Sequence, residues 1–204
     1  MRRPHLNRLL LGGLALILVL GLLGPRLLGL GGATQLGSGL LLDQPRPLSS
    51  WGDGLVDDDG QRFQLEQFRG KHHLLFFGFA NCPDICPNTM YMAGQMMQAL
   101  PPADQDKLQV VLISLDPERD SPENLQQYVR SFHPSFKALT GSEEALTDLS
   151  GQAGIAWMKV EQGESYTIDH SAALVLLDPE ARIQAYFAPP LAADKLAADL
   201  EQLL

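Results

Sequence analysis

Cysteine is scarce in this sequence: only two occur in 204 residues, Cys82 and Cys86, inside the stretch GFANCPDICPNTM at residues 78–90. A disulfide between them would close a loop of only about five residues, for which the chain-entropy model gives roughly 2 kcal/mol. A purely structural disulfide is therefore the least favoured role for this pair. Chemistry at the two thiols is the favoured one.

Positive charge is also in short supply, with 15 Lys and Arg against 24 Asp and Glu and a net charge of -9. Up to residue 48 the chain has five basic residues and one acidic residue, so the remainder has 10 basic and 23 acidic residues. An acidic domain repels phosphates, which argues against nucleic-acid binding. It favours cationic or weakly charged partners, with an attraction that weakens as salt is added.

Polar residues are missing from residues 9–25, an apolar run close to the N-terminus. At 1.5 Å per residue this run is about 26 Å long, close to the thickness of a bilayer core. Three arginines precede it, which predicts a cytoplasmic N-terminus. We predict a single-pass anchor in the inner (cytoplasmic) membrane over residues 1–26, with cleavage after Ala33 as the alternative. The domain would then face the periplasm, a compartment that permits disulfides.

Residues 27–48 are rich in Gly, Leu and Pro, which predicts a flexible linker, and residues 49–204 are predicted to form one domain. The predicted elements are, in chain order, a short hairpin within 51–65, a strand at 73–79, a helix at 85–100, a strand at 108–115, helices at 122–132 and 143–152, strands at 173–177 and 183–187, and a helix from about 190. The order βαβ, helix, ββα is that of thioredoxin. We predict an α/β, thioredoxin-like fold with an N-terminal β-hairpin extension and one N-terminal transmembrane helix.

This arrangement predicts that three chemically active side chains meet. Open α/β sheets place their sites beyond the carboxyl ends of strands, and Cys82 follows such an end. His170 comes just before the first strand of the C-terminal pair, in the loop that lies opposite the cysteine turn in a thioredoxin arrangement. We therefore expect Cys82, Cys86 and His170 to lie together.

Two thiols and one imidazole suit a soft metal ion. Positions i and i+4 on a helix share one face, about 5–6 Å apart, and the helix N-terminus favours the thiolate. Structural zinc takes four protein ligands, whereas thiolates select copper(I) and imidazole also suits copper. Asp84 or Asp169 would orient one of the ligand side chains without binding the metal itself. A redox-active dithiol formed by the same cysteines is the alternative, and it is compatible with metal binding, although the usual redox spacing is one residue shorter.

Other residues near the predicted site have less specific roles. Met90 continues the stripe of the two cysteines and is interpreted as a core residue. Residues 116–120 (DPERD) follow a strand end, and are either a solvated loop with helix capping or a group that docks a partner or supports the site. Tyr166 is expected to pack near the loop of His170. A peroxiredoxin-like peroxidase is not supported, because the PNTM segment after Cys86 lacks the threonine and arginine spacing.

Three segments, GFANCPDICP, SLDPERDSPENL and YTIDHSAALVLLDPEARI, resemble the Sco/SenC proteins, thioredoxin-like assembly factors of the copper-A centre in cytochrome c oxidase. The resemblance runs from about residue 65 to the C-terminus. It implies that Cys82, Cys86 and His170 bind one copper ion. It also implies delivery of that copper to oxidase subunit II, reduction of that subunit's cysteines, or both, with a thioredoxin-like reductant as a further partner.

The sequence departs from the family pattern at two places. Ala80 and Asn81 stand where the family often has a threonine or serine and then a histidine or another polar residue. Ala181 stands where the turn between the last two strands usually ends in glycine. Neither change removes a ligand.

Overall fold

The computed structural model describes residues 36–204 of the chain. The predicted membrane anchor, residues 1–26, and the alternative cleavage position after Ala33 lie outside the described residues. Within residues 36–204, no helix has both the length and the apolar character that a membrane span requires.

The described part contains nine strands, five α-helices and one short 3-10 helix, Leu65–Phe68. The strands are β1 (Gly39–Pro47), β2 (Leu55–Asp57), β3 (His72–Gly78), β4 (Leu108–Ser114), β5 (Lys137–Gly141), β6 (Trp157–Gln162), β7 (Ser165–His170), β8 (Leu174–Leu177) and β9 (Arg182–Phe187). The helices are α1 (Ile85–Ala99), α2 (Pro102–Gln105), α3 (Pro122–Arg130), α4 (Glu143–Ala153) and α5 (Ala193–Glu201).

The main sheet has seven strands in the order β1-β9-β8-β3-β4-β5-β2. β3 runs parallel to β4 and β4 parallel to β5, whereas β8 and β9 are antiparallel. All seven residues of β3 are buried, as a central strand covered on both faces requires. The predicted βαβ unit and closing ββα unit are therefore confirmed, in a mixed α/β fold with the thioredoxin-like order.

Local sequence signals set the helix boundaries. Ser121 caps α3, its Oγ accepting a hydrogen bond from the backbone N–H of Asn124 at 3.3 Å. Ser142 caps α4 in the same way, accepting from Ala145 N–H at 3.2 Å. α4 ends at Gly154, whose φ of 72° lies in the left-handed region that glycine adopts without strain. Ala181 has a φ of 61° in the β8–β9 turn, which explains why glycine suits this position.

Part of the predicted linker is instead a strand. Residues 39–47 form β1, which pairs antiparallel with β9 at the edge of the main sheet. The sequence GLLLDQPRP hides this strand because two prolines interrupt the apolar pattern, and proline is tolerated at a sheet edge. The carboxylate of Asp199 holds the start of β1, accepting hydrogen bonds from Gly37 N–H at 2.6 Å and Ser38 N–H at 2.8 Å.

The predicted N-terminal hairpin is only partly present. The turn forms as expected, with Gly60 N–H donating to the carbonyl of Asp57 at 2.9 Å. The return strand is reduced to one bridge between Val56 and Arg62, and β2 pairs mainly with β5. The prediction failed because it considered only local pairing, whereas the edge of β5 offers β2 a longer partner.

A second hairpin, β6–β7, was not predicted. It is an antiparallel two-stranded sheet that is separate from the main sheet, with Trp157 opposite His170 and Gln162 opposite Ser165. Its residues are mostly exposed or half-buried, so the apolar signal that marks β3 and β4 is absent. This hairpin presents His170 as its last residue.

Candidate metal centre

The two cysteines lie at the corner between β3 and α1. Cys82 N–H donates to the carbonyl of Phe79 at 3.3 Å, which turns the chain immediately after the strand. The helix begins only at Ile85, so Cys86 is in its first turn while Cys82 precedes it. The expectation that both thiols share one helix face is therefore wrong for Cys82, which the turn positions instead.

The two thiols differ in exposure. Cys86 is fully buried and Cys82 is half-buried, and both are free thiols. Burial raises the pKa of the Cys86 thiol, and the neighbouring Cys82 thiol raises it further. The predicted preference for thiolate at the helix N-terminus is thus outweighed at Cys86 by the loss of solvent.

The imidazole of His170 faces the buried thiol. Its Nε2 lies 3.7 Å from Sγ of Cys86, and its Nδ1 lies 3.1 Å from the backbone oxygen of Ser171. A carbonyl oxygen can only accept, so Nδ1 carries the proton and Nε2 keeps its lone pair towards Cys86. Burial lowers the pKa of His170, which favours the neutral ring that a metal needs.

Aromatic rings enclose the imidazole on its inner side. The ring centroids of Phe76 and Phe79 lie 5.9 Å and 6.2 Å from that of His170, both in edge-on contacts. Phe76 lies near the end of β3, and Phe79 is the residue directly after it. The strand that delivers the cysteines therefore also forms the apolar wall behind the histidine.

The spacing of Cys86 and His170 fits a shared metal ion. Typical metal–sulfur and metal–nitrogen bonds of about 2.3 Å and about 2.0 Å, at an angle of ~110–120°, place the two ligand atoms ~3.5–3.7 Å apart. The observed separation of 3.7 Å is at the upper end of this range. The donors, a thiol and an imidazole, are those that copper(I) accepts.

Cys82 completes the group from the solvent side. Cys82 and His170 line the same open depression of about 290 Å³, together with Phe79, Pro83 and Ile85. Among residues 36–204, no three His, Cys, Asp or Glu side chains already surround a single point. The three predicted ligands are therefore neighbours, with His170 against Cys86 and on the same depression as Cys82, but they do not yet enclose an ion.

The two carboxylates predicted to support the site, Asp84 and Asp169, line the same depression as Cys82 and His170. Asp84 accepts a hydrogen bond from the side chain of Asn88 at 2.6 Å. Asp169 is exposed, and the hydrogen bond that orients His170 goes to the backbone of Ser171. Ser171 was missed because a backbone carbonyl leaves no signal in residue identity. Met90 is fully buried in the core, as interpreted from its sequence position.

The loop after β4 is a support of the site and not a solvated loop. Asp116 and Asp120 are both almost fully buried. The Asp120 carboxylate accepts hydrogen bonds from the backbone N–H of Ala80 at 2.9 Å and from the Ser114 hydroxyl at 2.6 Å. It thereby fixes the segment that leads into Cys82. The dense DPERD motif was the sequence signal for this role.

The SCO1/SenC family model matches residues 54–204. A protein from Stutzerimonas stutzeri that is named for copper binding is 38% identical over 151 residues, which cover 74% of this chain and 74% of that protein. An SCO2-like protein of Rickettsia prowazekii is 35% identical over 138 residues, covering 65% of this chain and 66% of that protein.

Solved structures are similar across most of the described residues. The solution structure of apo Sco1 from Thermus thermophilus has a TM-score of 0.72 and 35% identity, covering 85% of this chain and 100% of that one. The structure of Bradyrhizobium japonicum ScoI with copper bound has a TM-score of 0.69 and 30% identity, covering 78% of this chain and 99% of that one.

Proposed function

This chain belongs to the SCO1/SenC family, and on that premise we propose that it is a copper chaperone. It binds one copper ion through Cys82, Cys86 and His170. The observation that carries the proposal is the 3.7 Å approach of His170 Nε2 to Cys86 Sγ, with Cys82 on the same depression. Related proteins whose names or structures include copper support the choice of metal.

Copper(I) enters as cargo and displaces two protons. Each thiol loses its proton when its sulfur binds the ion, while the neutral imidazole contributes its Nε2 lone pair without losing a proton. Coordination by copper lowers the pKa of Cys86, which offsets the effect of its burial. Release reverses these steps: ligands of the acceptor replace the three donors one at a time, and the two thiols take up protons again.

The acceptor in this proposal is the copper-A site of cytochrome c oxidase subunit II. The domain is tethered to the inner membrane by residues 1–26 and faces the periplasm, so donor and acceptor meet at one membrane surface. The half-exposed Cys82 is the thiol that an acceptor reaches first, because Cys86 is buried behind it. A thioredoxin-like reductant keeps both thiols reduced, since the disulfide form cannot take copper.

The free, adjacent thiols favour a second candidate function, thiol–disulfide exchange with the acceptor's cysteines. The Cys82 thiolate attacks the acceptor disulfide, forming a mixed disulfide and releasing the first acceptor thiol. Cys86 then attacks the Cys82 sulfur and releases the second. Two electrons pass to the acceptor, Cys82 and Cys86 become a disulfide, and the reductant named above restores them.

Anaerobic copper(I) titration of the reduced full-length chain in detergent tests the proposal. The wild type is expected to hold one copper per chain, and C82S, C86S and H170A are each expected to bind it at least about tenfold more weakly. H133A, which removes a histidine outside the site, is the matched control. If the wild type binds no copper and H170A still reduces disulfides fully, the chaperone proposal is wrong and thiol–disulfide exchange is the function.

A further inference from the structure

The hairpin that carries His170 has no backbone ladder to the main sheet in the described part of the chain. Strands β6 and β7 pair only with each other. The distance between His170 and Cys86 therefore depends on the chain connections at the two ends of this hairpin and on the side chains that fasten it to the body. Two of them are polar anchors: Trp157 Nε1–H donates to the Ser150 hydroxyl at 3.0 Å, and Tyr166, four residues before His170 on the same face of β7, is held by the loop after β4.

Tyr166 is held by the loop that follows β4. Its hydroxyl donates to the Asp116 carboxylate at 2.7 Å, with a Glu118 oxygen also within 3.0 Å. The Arg119 guanidinium lies 3.9 Å from the centre of the Tyr166 ring and donates through Nη1 to the Tyr166 carbonyl at 3.0 Å. Asp116 is fully buried and forms a salt bridge with Arg119.

The same loop also holds the cysteine side of the site. Asp120 accepts from Ala80 N–H at 2.9 Å, two residues before Cys82. The Arg119 guanidinium lies 5.9 Å from the ring centre of Phe79, which contacts His170. One short segment, residues 116–120, therefore touches both the turn with the thiols and the hairpin with the imidazole.

We propose that Asp116, Arg119 and Tyr166, here called the clamp, are positioning residues that set the separation of His170 from the two thiols. This inference rests on the proposed function for its purpose, since a fixed separation matters for a three-ligand site. Arg119 is suited to the role because its planar group stacks on the ring and donates in two directions at once. The Lys159–Glu118 pair adds little, since Glu118 is exposed and ion pairs at the surface are weak.

Two conservative variants test the clamp in the full-length chain. Y166F removes one oxygen atom and keeps the ring, and R119K keeps the charge and loses the planar fork. The matched control is R182K, because Arg182 also pairs with a nearly buried aspartate, Asp178, in the turn between β8 and β9. That turn lies at the end of the sheet away from the site, where Gly70 N–H bonds the Pro179 carbonyl.

Hydrogen exchange of the metal-free chain is the first readout. Amides of β6 and β7 are expected to exchange at least about tenfold faster in Y166F and R119K than in the wild type, while β3 amides are unchanged. R182K should match the wild type in the hairpin. Equal hairpin exchange in all four proteins would overturn the clamp. This readout needs no copper, so it decides the clamp even where the chaperone proposal fails.

The copper-bound chain gives the second readout. In Y166F and R119K, the affinity for copper(I) is expected to fall about tenfold, and the imidazole nitrogen signature in the copper(II) spectrum should weaken relative to the thiolate signature. If the clamp residues were merely structural, the variants would be less stable, but the imidazole signal would keep its strength relative to the thiolate signal. Unchanged spectra and affinity in both variants would contradict positioning. A wild type without any histidine signature would contradict the proposed function instead.

Discussion

Sγ of Cys86 packs directly against Gly78, so closely that a Cβ atom on Gly78 would lie 2.8 Å from the sulfur. The same Cβ would lie 3.0 Å from the ring of Phe76, which also contacts His170. Strand β3 thus ends in the one residue type that leaves room for the thiol. The position of the Cys86 sulfur therefore depends on residue 78 being glycine, although glycine has no reactive group.

Gly78→Ala is therefore expected to destabilise the chain by about 1–3 kcal/mol, as overpacking of a close-packed core does. Copper binding should weaken as well, because the sulfur is pushed from its position. Chemical unfolding and copper titration measure the two effects. Gly151→Ala is the control: nothing lies within 4 Å of its Cβ, and alanine inside helix α4 should stabilise by about 0.5–1 kcal/mol. Equal stability of G78A and wild type would contradict the packing argument.

The two thiols should differ in reactivity. Cys82 is half-buried, whereas Cys86 is fully buried and burial raises the pKa of its thiol. With iodoacetamide at pH 8, Cys82 in the folded, reduced chain is expected to be alkylated at least about tenfold faster than Cys86. Peptide mass spectrometry over a time course measures both rates. In urea the two rates should converge, and convergence already in the folded chain would show the predicted difference to be wrong.

Stability should fall on acidification because of a histidine far from the metal site. His73 is buried against Phe68, and burial lowers its pKa from 6.5 to about 4. Between these pH values the unfolded chain binds a proton that the folded chain does not, so the free energy of unfolding falls as pH falls. The loss is about 3 kcal/mol in total at 1.36 kcal/mol per unit, and above pH 6.5 this contribution is fully present.

Chemical unfolding at several pH values between 4 and 7 measures this dependence. His73→Leu, which cannot be protonated, should lose less stability than the wild type on acidification, and the difference in the total loss should be about 3 kcal/mol. His72→Gln serves as the comparison, because the pKa of His72 is also lowered by burial and its contribution is separate. The same slope in wild type and H73L would exclude His73 as the source.

Asp199 is expected to secure the start of β1. It is nearly fully buried and also accepts a hydrogen bond from the Ser38 hydroxyl at 2.6 Å, besides the two backbone N–H groups. Asp199→Ala should lower the local stability of β1 by about 1.5–3 kcal/mol, the range for hydrogen bonds to charged groups. Amide exchange at residues 39–41 reports it. Asp194→Ala, an exposed carboxylate on the same helix, should leave that exchange unchanged.

The centre of the fold could be predicted from the sequence because its signals are local and redundant. Strands β3 and β4 are apolar runs, α1 stops before two prolines, and α3 opens on the Ser121-Pro122 cap. The approach of Cys86 to His170 followed from chain order, since the first βα corner faces the segment before β8 in this order of elements, although His170 ends strand β7 and does not lie in the expected loop.

The other elements depend on contacts that sequence patterns do not encode. β6 and β7 are polar at most positions, so their mutual pairing and the side-chain contacts of Tyr166 and Trp157 define them. The burial of Cys86, which reverses the expected effect of the helix N-terminus, depends on the packing of distant segments around it. The orientation of His170 depends on a backbone carbonyl, and every residue type has one.

Strand β1 has a practical consequence for any shortened version of the protein. A truncation beginning at residue 49, where the sequence first suggests that the domain starts, would strip the cover from β9 and leave its N–H and C=O groups unpaired. Such a bare edge invites pairing with other molecules and aggregation. A shortened protein for solution work should therefore keep residues 36–48, and its monodispersity would depend on them.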